Sequence, residues 1–88
     1  MARERAVRIA LDMAAATQKE AGCRAYRFAV DLTDPTLFYL HEEWDDAGAL
    51  TRHFATPHMA TFQAALPGLL AGPPTITRFE VTSAGPLG

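Results

Sequence analysis

The segment HEEWDDAGALTRHFATPHMATF, residues 41–62, decides the fold because it contains the end of a strand and two helix starts. The strand comes first, since residues 37–44, LFYLHEEW, are mostly aromatic and aliphatic. Asp45 and Asp46 follow, and either can cap a helix over about residues 46–55, because an aspartate side chain accepts from the first free backbone N–H groups. The segment therefore predicts a strand that leads directly into a short helix.

A second helix is predicted to begin at Thr56 and Pro57, with threonine as N-cap and proline at the first helical position. Its apolar stripe consists of Met59, Phe62, Leu66, Leu69 and Leu70. Pro67 is expected to kink or reset this helix, because proline lacks an N–H and clashes with the preceding turn. Farther on, residues 75–82, TITRFEVT, predict a last strand, and residues 83–88 predict a loose tail.

The part of the chain before this segment predicts one helix and one strand. Residues 3–20 are rich in alanine and straight-chain residues and contain no glycine or proline, which favours a helix. Gly22 is placed to end it in the left-handed conformation. Residues 23–31, CRAYRFAVD, alternate as a strand with one buried face, and Asp34-Pro35 predicts the turn of a hairpin. The apolar side chains of that face are Tyr26, Phe28 and Val30.

The predicted order is helix, strand, strand, broken helix, strand. It favours an α+β fold with an antiparallel sheet and helices on one face. The order is one strand short of the βαββαβ ferredoxin-like pattern, and the missing strand would precede Ala2. Residues 1–88 are expected to form a single domain with a core over about residues 4–82.

Size and composition point to a partner subunit and exclude several function classes. A chain of 88 residues has a marginal core of its own, and its single cysteine, Cys23, excludes an internal disulfide, so we expect a homodimer. The net charge of −2 and the lack of a basic run argue against nucleic-acid binding. No stretch approaches the roughly 20 apolar residues of a membrane helix. Cys23 is expected to be a small buried hydrophobe rather than a nucleophile, and one unpaired cysteine favours the cytoplasm.

Several short motifs, in this order, resemble the antibiotic biosynthesis monooxygenase domain, which includes small quinol monooxygenases. They are GCRAY, a DP hairpin, EEW followed by acidic residues, ALTRHFATPH, then PP and a final strand, and they cover about residues 4–82. The resemblance implies a dimeric α+β barrel in which two four-stranded sheets pack together, with a pocket between each sheet and its helices. The family begins with a central strand, whereas Met1 stands almost at the helix start, so we expect an incomplete N-terminus.

The resemblance also implies an activity. Some members oxidise phenols or quinols with molecular oxygen and use neither metal nor flavin. It therefore implies a cofactor-independent monooxygenase that acts on a phenolic or quinol polycyclic aromatic. The alternatives are a non-catalytic dimeric module that binds a ligand or supports assembly, and a haem-degrading or isomerase-type relative.

The two histidines of the opening segment are the first candidates for catalysis. His53 and His58 are five positions apart with Pro57 between them, so they belong to different helices. This is not the spacing of three or four that places two ligands on one helical face, so the sequence predicts no metal site. Histidine is suited to remove a proton near neutral pH. We expect His53 first, and His58 second, to take the proton from the substrate.

Glu42 is the third candidate. It shares one strand face with Phe38, Leu40 and Trp44 by the period of two, so its carboxylate is expected to enter an apolar environment and to be hydrogen-bonded or carry a raised pKa. In a structural role it would pair with an arginine or with the backbone of the following helix. In a catalytic role it would orient one of the two histidines or act as a base. The family pattern has a glutamate two residues before the tryptophan, which Glu42 matches.

Four large side chains are expected near these groups, between sheet and helices. They are Tyr26, Trp44, Met59 and Phe62. Such residues are often only core, but a cavity lined by them would also suit a flat aromatic substrate. His41 is expected on the strand face opposite Glu42, at the dimer interface.

Overall fold

The computed structural model describes residues 2–68, 77, 79–81 and 85–86. In chain order its elements are α1 (Ala2–Thr17), β1 (Cys23–Val30), β2 (Phe38–Trp44), α2 (Ala47–Phe54), α3 (Pro57–Ala65) and a single 3₁₀ turn (Leu66–Gly68). This order confirms the predicted helix, hairpin and broken helix. The strand predicted over 75–82 and the tail over 83–88 lie largely outside the described residues. Thr77, Phe79, Glu80 and Val81 are described and are not in a strand.

Helix α1 packs its inner side against β1 and α3. Its buried residues are Ala10, Met13 and Thr17, which recur at the spacing of one helix face. The helix ends at Thr17, three residues before the predicted end. The chain must turn there to enter β1, and the N–H of Glu20 donates to the carbonyl of Thr17 at 2.9 Å within that turn. Glu20 is therefore a turn residue and not a helical one.

Gly22 adopts the predicted left-handed conformation, with φ of 84°. It leads into β1 and lies five residues beyond the end of α1. Its carbonyl accepts from the N–H of Asp45 at 2.8 Å, and a Cβ at this position would come within 2.6 Å of the Ala49 Cβ. Glycine is therefore required here both by the backbone angle and by the close approach of α2.

The strands β1 and β2 form an antiparallel hairpin, the only sheet among the described residues. Tyr26 is opposite Glu42 and Phe28 is opposite Leu40, so these four residues share the face that meets the helices. A register shift between Cys23 and Ala25 interrupts the alternation at the start of β1. The carboxylate of Asp31 and that of Asp34 accept hydrogen bonds from residues two or three positions on, which holds the predicted turn.

The helix starts follow the predicted capping chemistry. The side chain of Asp46 accepts from the N–H of Ala49 at 2.8 Å and caps α2, while Asp45 pairs with Arg24 at 2.6 Å. Thr56 caps α3 by accepting from the N–H of Met59 at 3.3 Å, and the helix begins at Pro57 as predicted. Thr56 also donates to the carbonyl of His53 at 2.7 Å, which fixes α3 relative to the end of α2.

The remaining predictions about the helices and the membrane also hold in the described part of the chain. α3 ends at Ala65 and Pro67 lies in the 3₁₀ turn that follows, so the predicted reset is confirmed. Leu69 and Leu70 lie outside the described residues. No described helix is long and apolar enough to cross a membrane.

Candidate functional site

Three segments that are distant in the chain bring a carboxylate and two imidazoles together. His53 lies in the last turn of α2, His58 lies in the first turn of α3, and Glu20 lies in the turn between α1 and β1. The Oε2 atom of Glu20 is 2.7 Å from Nδ1 of His53 and 2.7 Å from Nε2 of His58. We call Glu20, His53 and His58 the carboxylate–imidazole cluster.

The members of the cluster differ in their access to solvent. The side chain of His53 is 1% exposed, that of Glu20 is 13% exposed and that of His58 is 27% exposed. The ring of His53 is packed by the ring of Trp44, with centroids 4.8 Å apart, and by that of Tyr26 at 5.6 Å. His58 is therefore the member that a small molecule can reach, and His53 is held inside.

The carboxylate of Glu20 fixes which nitrogen of each imidazole carries the proton. Burial alone would raise the pKa of Glu20, but hydrogen bonds from His53 and His58 and the charges of these imidazoles lower it below 4.5. An ionised carboxylate only accepts, so each imidazole must donate the N–H that faces it. The lone pairs consequently lie on Nε2 of His53 and on Nδ1 of His58. This arrangement allows His58 to accept a proton at Nδ1.

Tyr26 and Cys23 beside the cluster are held in their neutral forms. Burial, followed by the nearby charges of Glu42 and Glu20, raises the pKa of Tyr26 well above its usual range. Its hydroxyl can donate a hydrogen bond and is not a base at neutral pH. Burial and the same two carboxylates also raise the pKa of the Cys23 thiol. This agrees with the prediction that Cys23 is not an activated nucleophile, but the residue is half-buried and not buried as predicted.

The predicted environment of Glu42 is wrong. Its side chain is exposed, although Tyr26 opposite it on β1 is buried. The reason is that the long helix α1 packs on β1, whereas β2 is met mainly by the short helix α2, which leaves Glu42 at the margin of the helical layer. Glu42 accepts from Nε1 of Trp44 at 3.1 Å, so it is hydrogen-bonded as expected, but the carboxylate that orients the histidines is Glu20.

The predicted aromatic residues, Tyr26, Trp44 and Phe62, lie around His53. The fourth predicted residue, Met59, is not aromatic. Tyr26 and Trp44 contact the imidazole directly. Phe62 joins through Phe28, whose ring centroid is 6.0 Å from that of Phe62 and 5.7 Å from that of Tyr26. Met59 is half-buried in the first turn of α3.

His41 lies on the strand face opposite Glu42, as predicted. Its Nε2 atom is 2.7 Å from Oε2 of Glu43, and both side chains are exposed. This pair also joins an imidazole to a carboxylate, but both of its side chains are exposed to solvent, unlike those of the cluster.

An apolar groove of about 140 Å³ runs between α1 and the hairpin. It is lined by Val7, Ala10, Leu11, Phe28, Ala29, Val30 and Phe38. No predicted substrate-binding residue lines it, but Phe28 at its wall contacts Tyr26 and so connects it to the aromatic surroundings of His53. A second depression, of about 200 Å³, lies on α1 among Arg3, Glu4 and Arg8, away from the cluster.

Glu20 is the candidate site residue that the sequence patterns missed. It lies at the end of the helix predicted over residues 3–20, and it is 33 residues from His53 and 38 from His58. The prediction of no metal site considered only ligands that are close together in sequence, and Glu20 is distant in the chain from both histidines. The prediction that the two histidines lie on different helices is confirmed.

Comparisons with known proteins agree with this fold. The sequence model of the family described as antibiotic biosynthesis monooxygenase matches residues 2–65. An uncharacterised protein of Synechocystis sp. is 35% identical over 65 residues, which are 74% of this chain and 44% of that protein. The chain therefore spans less than half the length of this relative.

Two solved structures extend the comparison. A Deinococcus radiodurans protein, provisionally classed as an antibiotic biosynthesis monooxygenase, superposes with a TM-score of 0.89 and is 30% identical, over 98% of this chain and 85% of that one. A Pseudomonas aeruginosa protein is 36% identical with a TM-score of 0.74, over 80% of this chain and 71% of that one. The fold is the ferredoxin-like α+β fold of these proteins, and the chain belongs to the antibiotic biosynthesis monooxygenase family.

Proposed function

We propose that this protein is a small monooxygenase that oxidises a phenolic or quinol polycyclic aromatic with molecular oxygen, without metal or flavin. The observation that carries the proposal is the carboxylate–imidazole cluster. Glu20 holds His58 with a lone pair on Nδ1, and His58 is partly exposed while the rest of the cluster is buried. This is the arrangement of an oriented general base at the edge of an aromatic interior.

In the proposed reaction, Nδ1 of His58 takes the proton of the phenolic hydroxyl. The positive charge that His58 gains is 2.7 Å from the carboxylate of Glu20, which stabilises it. The phenolate passes one electron to oxygen, and the two radicals combine at a ring carbon to give a peroxide. His58 returns its proton to the terminal oxygen of the peroxide anion. Loss of water from the resulting hydroperoxide, with the hydrogen of the same ring carbon, gives the quinone, so one oxygen atom remains in the product and the other leaves as water.

The structure supports different roles for the two histidines from those expected. His53 is 1% exposed, so we assign it a positioning role: its ring packs between Trp44 and Tyr26 and its N–H holds the carboxylate of Glu20. His58 is the base. Tyr26 is as buried as His53, so we assign its ring to the packing around His53, with the hydroxyl kept protonated by burial.

We further propose that the active form is a cytoplasmic homodimer. Leu37 and Tyr39 are apolar or aromatic and exposed on the hairpin, on the side that points away from the helices. A second copy would cover them and supply the contacts that a core of this size lacks. The unpaired Cys23 suits a reducing compartment.

The competing function is a non-catalytic dimeric module that binds a small ligand or supports assembly. One observation favours it: the cluster joins the α1–β1 turn, α2 and α3. Hydrogen bonds of this kind stabilise a fold and require no catalytic role. A monooxygenase requires the partly exposed His58 for turnover, whereas a non-catalytic module has no turnover to lose.

The deciding experiment is oxygen consumption with a panel of quinols and dihydroxynaphthalenes, in the presence of a chelator and without flavin. His58→Ala is expected to lower kcat by about 100-fold or more, the usual contribution of a general base. His41→Ala, which removes the exposed pair with Glu43, is the matched control, and size-exclusion chromatography checks that both variants keep the oligomeric state of the wild type. Oxygen uptake that His58→Ala leaves unchanged would exclude His58 as the base.

A further inference from the structure

The carboxylate–imidazole cluster is also a set of ligand atoms for a metal ion. We propose that Oε2 of Glu20, Nδ1 of His53 and Nε2 of His58 bind one divalent transition-metal ion. These atoms lie within 4.8 Å of one another and come from three separate segments. The proposal stands on these side chains alone and does not depend on the oxidation proposed above.

An ion fits this set only after the donor atoms move. Bonds of about 2.0–2.2 Å in a tetrahedral site place neighbouring donor atoms roughly 3.3 Å apart. The oxygen of Glu20 is now 2.7 Å from each nitrogen, so it must withdraw by a fraction of an ångström. Ligand atoms that are up to 4.8 Å apart must approach by as much as roughly 1.5 Å, and rotation of the partly exposed His58 can supply this movement.

Burial gives the site a fixed side and an open side. His53 is packed by Trp44 and Tyr26, so one ligand is already held in place. His58 is 27% exposed, so an ion can enter on its side and a water molecule can complete the coordination. Three protein ligands with one open position form the pattern of catalytic, rather than purely structural, zinc sites.

The donor atoms select the class of metal. Two imidazole nitrogens and one carboxylate oxygen suit Zn²⁺, Co²⁺ and Ni²⁺. Mg²⁺ and Ca²⁺ prefer oxygen ligands throughout and fit this set poorly. We therefore expect binding of late first-row divalent ions and none of alkaline-earth ions.

Occupancy of the site has a consequence for the proposed base. Coordination uses the lone pairs of Nδ1 of His53 and Nε2 of His58, so in the neutral imidazoles the protons move to the opposite nitrogens. Nδ1 of His58 then carries a proton and cannot accept one. If the oxidation proceeds as proposed, Zn²⁺ inhibits it; this consequence alone rests on the proposed function.

Co²⁺ tests the site because its tetrahedral complexes absorb strongly in visible light. The full chain, freed of metal by a chelator that is then removed, is titrated with Co²⁺, and Zn²⁺ is added afterwards to displace it. The variants are His58→Gln and Glu20→Gln, and the control is His41→Gln, which alters the exposed pair with Glu43. Circular dichroism identifies the variants that keep the fold.

The proposal predicts one Co²⁺ per chain, with tetrahedral bands, in the wild type and in His41→Gln. In His58→Gln and Glu20→Gln, binding weakens by more than the roughly 10- to 100-fold that loss of an outer partner costs. Absence of the bands in the wild type, or unchanged affinity in folded His58→Gln, overturns it. Loss of binding in His41→Gln assigns the ion to the exposed pair and also overturns it. Oxygen uptake is not part of this readout, so failure of the oxidation leaves the metal result intact.

Discussion

Glu20 and His53 are 33 residues apart in the chain, yet Oε2 of Glu20 lies 2.7 Å from Nδ1 of His53. The contact links the turn after α1 to the last turn of α2, and the same oxygen reaches His58 in α3. One carboxylate therefore sets the position and the tautomer of two histidines. The arrangement connects three segments of the chain, and it also orients His58, the candidate base.

Replacing Glu20 by glutamine should destabilise the protein by about 2 kcal/mol, because a buried histidine loses its charged acceptor. The amide also offers donors to two N–H groups that need an acceptor. Chemical denaturation of Glu20→Gln and wild type measures the difference. Glu43→Gln, at the exposed pair with His41, should change stability by less than about 0.5 kcal/mol. Equal effects of the two substitutions would show that burial of the cluster contributes nothing.

Stability should fall in acid because of Glu20. Its pKa in the folded protein is lower than the ordinary value of 4.5, so its carboxylate stabilises the fold above about pH 4.5. That contribution is lost as the pH falls through the folded pKa. Urea midpoints measured between about pH 6 and pH 3 should decline less steeply for Glu20→Gln than for wild type. The lowered pKa values of Asp31 and Asp34 leave a residual decline in both proteins. Parallel curves would contradict the assignment.

Gly22→Ala should cost about 1–2 kcal/mol from the left-handed backbone alone, and more from the 2.6 Å approach to Ala49. The second effect should push α2, and with it His53, away from Glu20. Thermal denaturation measures the loss of stability. The control is Gly85→Ala, where an added Cβ meets no atom of the described residues within 4 Å and stability should stay within about 0.5 kcal/mol. A Gly22→Ala protein as stable as wild type would be inconsistent with this geometry.

Tyr26→Phe should leave KM for a phenolic substrate unchanged, because Tyr26 is 1% exposed and the ring that packs against His53 is retained. Steady-state kinetics measure KM, and a melting curve measures the effect on the fold. A several-fold rise in KM with an unchanged melting temperature would show that the hydroxyl contacts the substrate, and it would contradict this assignment.

The local elements of this fold were predictable because short-range chemistry determines them. Alternation over β1 and β2, the side-chain cap of Asp46 and the Thr56-Pro57 start all act within a few residues. The candidate histidines could be named for the same reason, since their residue type and position on two helix ends are local features.

The contacts between these elements were not predictable from local patterns. The helix predicted over residues 3–20 includes Glu20, and the position of Glu20 beside the histidines depends on how α2 packs on the turn after α1. Period two placed Glu42 on the correct face, but exposure depends on how far the helices extend over β2. Both outcomes depend on packing between segments, which cannot be inferred from the periodicity of one segment.

The orientation of both imidazoles by Glu20 can be measured by NMR of ¹⁵N-labelled histidine side chains at mildly alkaline pH. Long-range proton–nitrogen correlations report which ring nitrogen carries the proton. We expect the Nδ1–H tautomer for His53 and the Nε2–H tautomer for His58, with the His53 pattern lost in Glu20→Gln. An Nε2–H tautomer for His53 in the wild type, unaltered by Glu20→Gln, would contradict it.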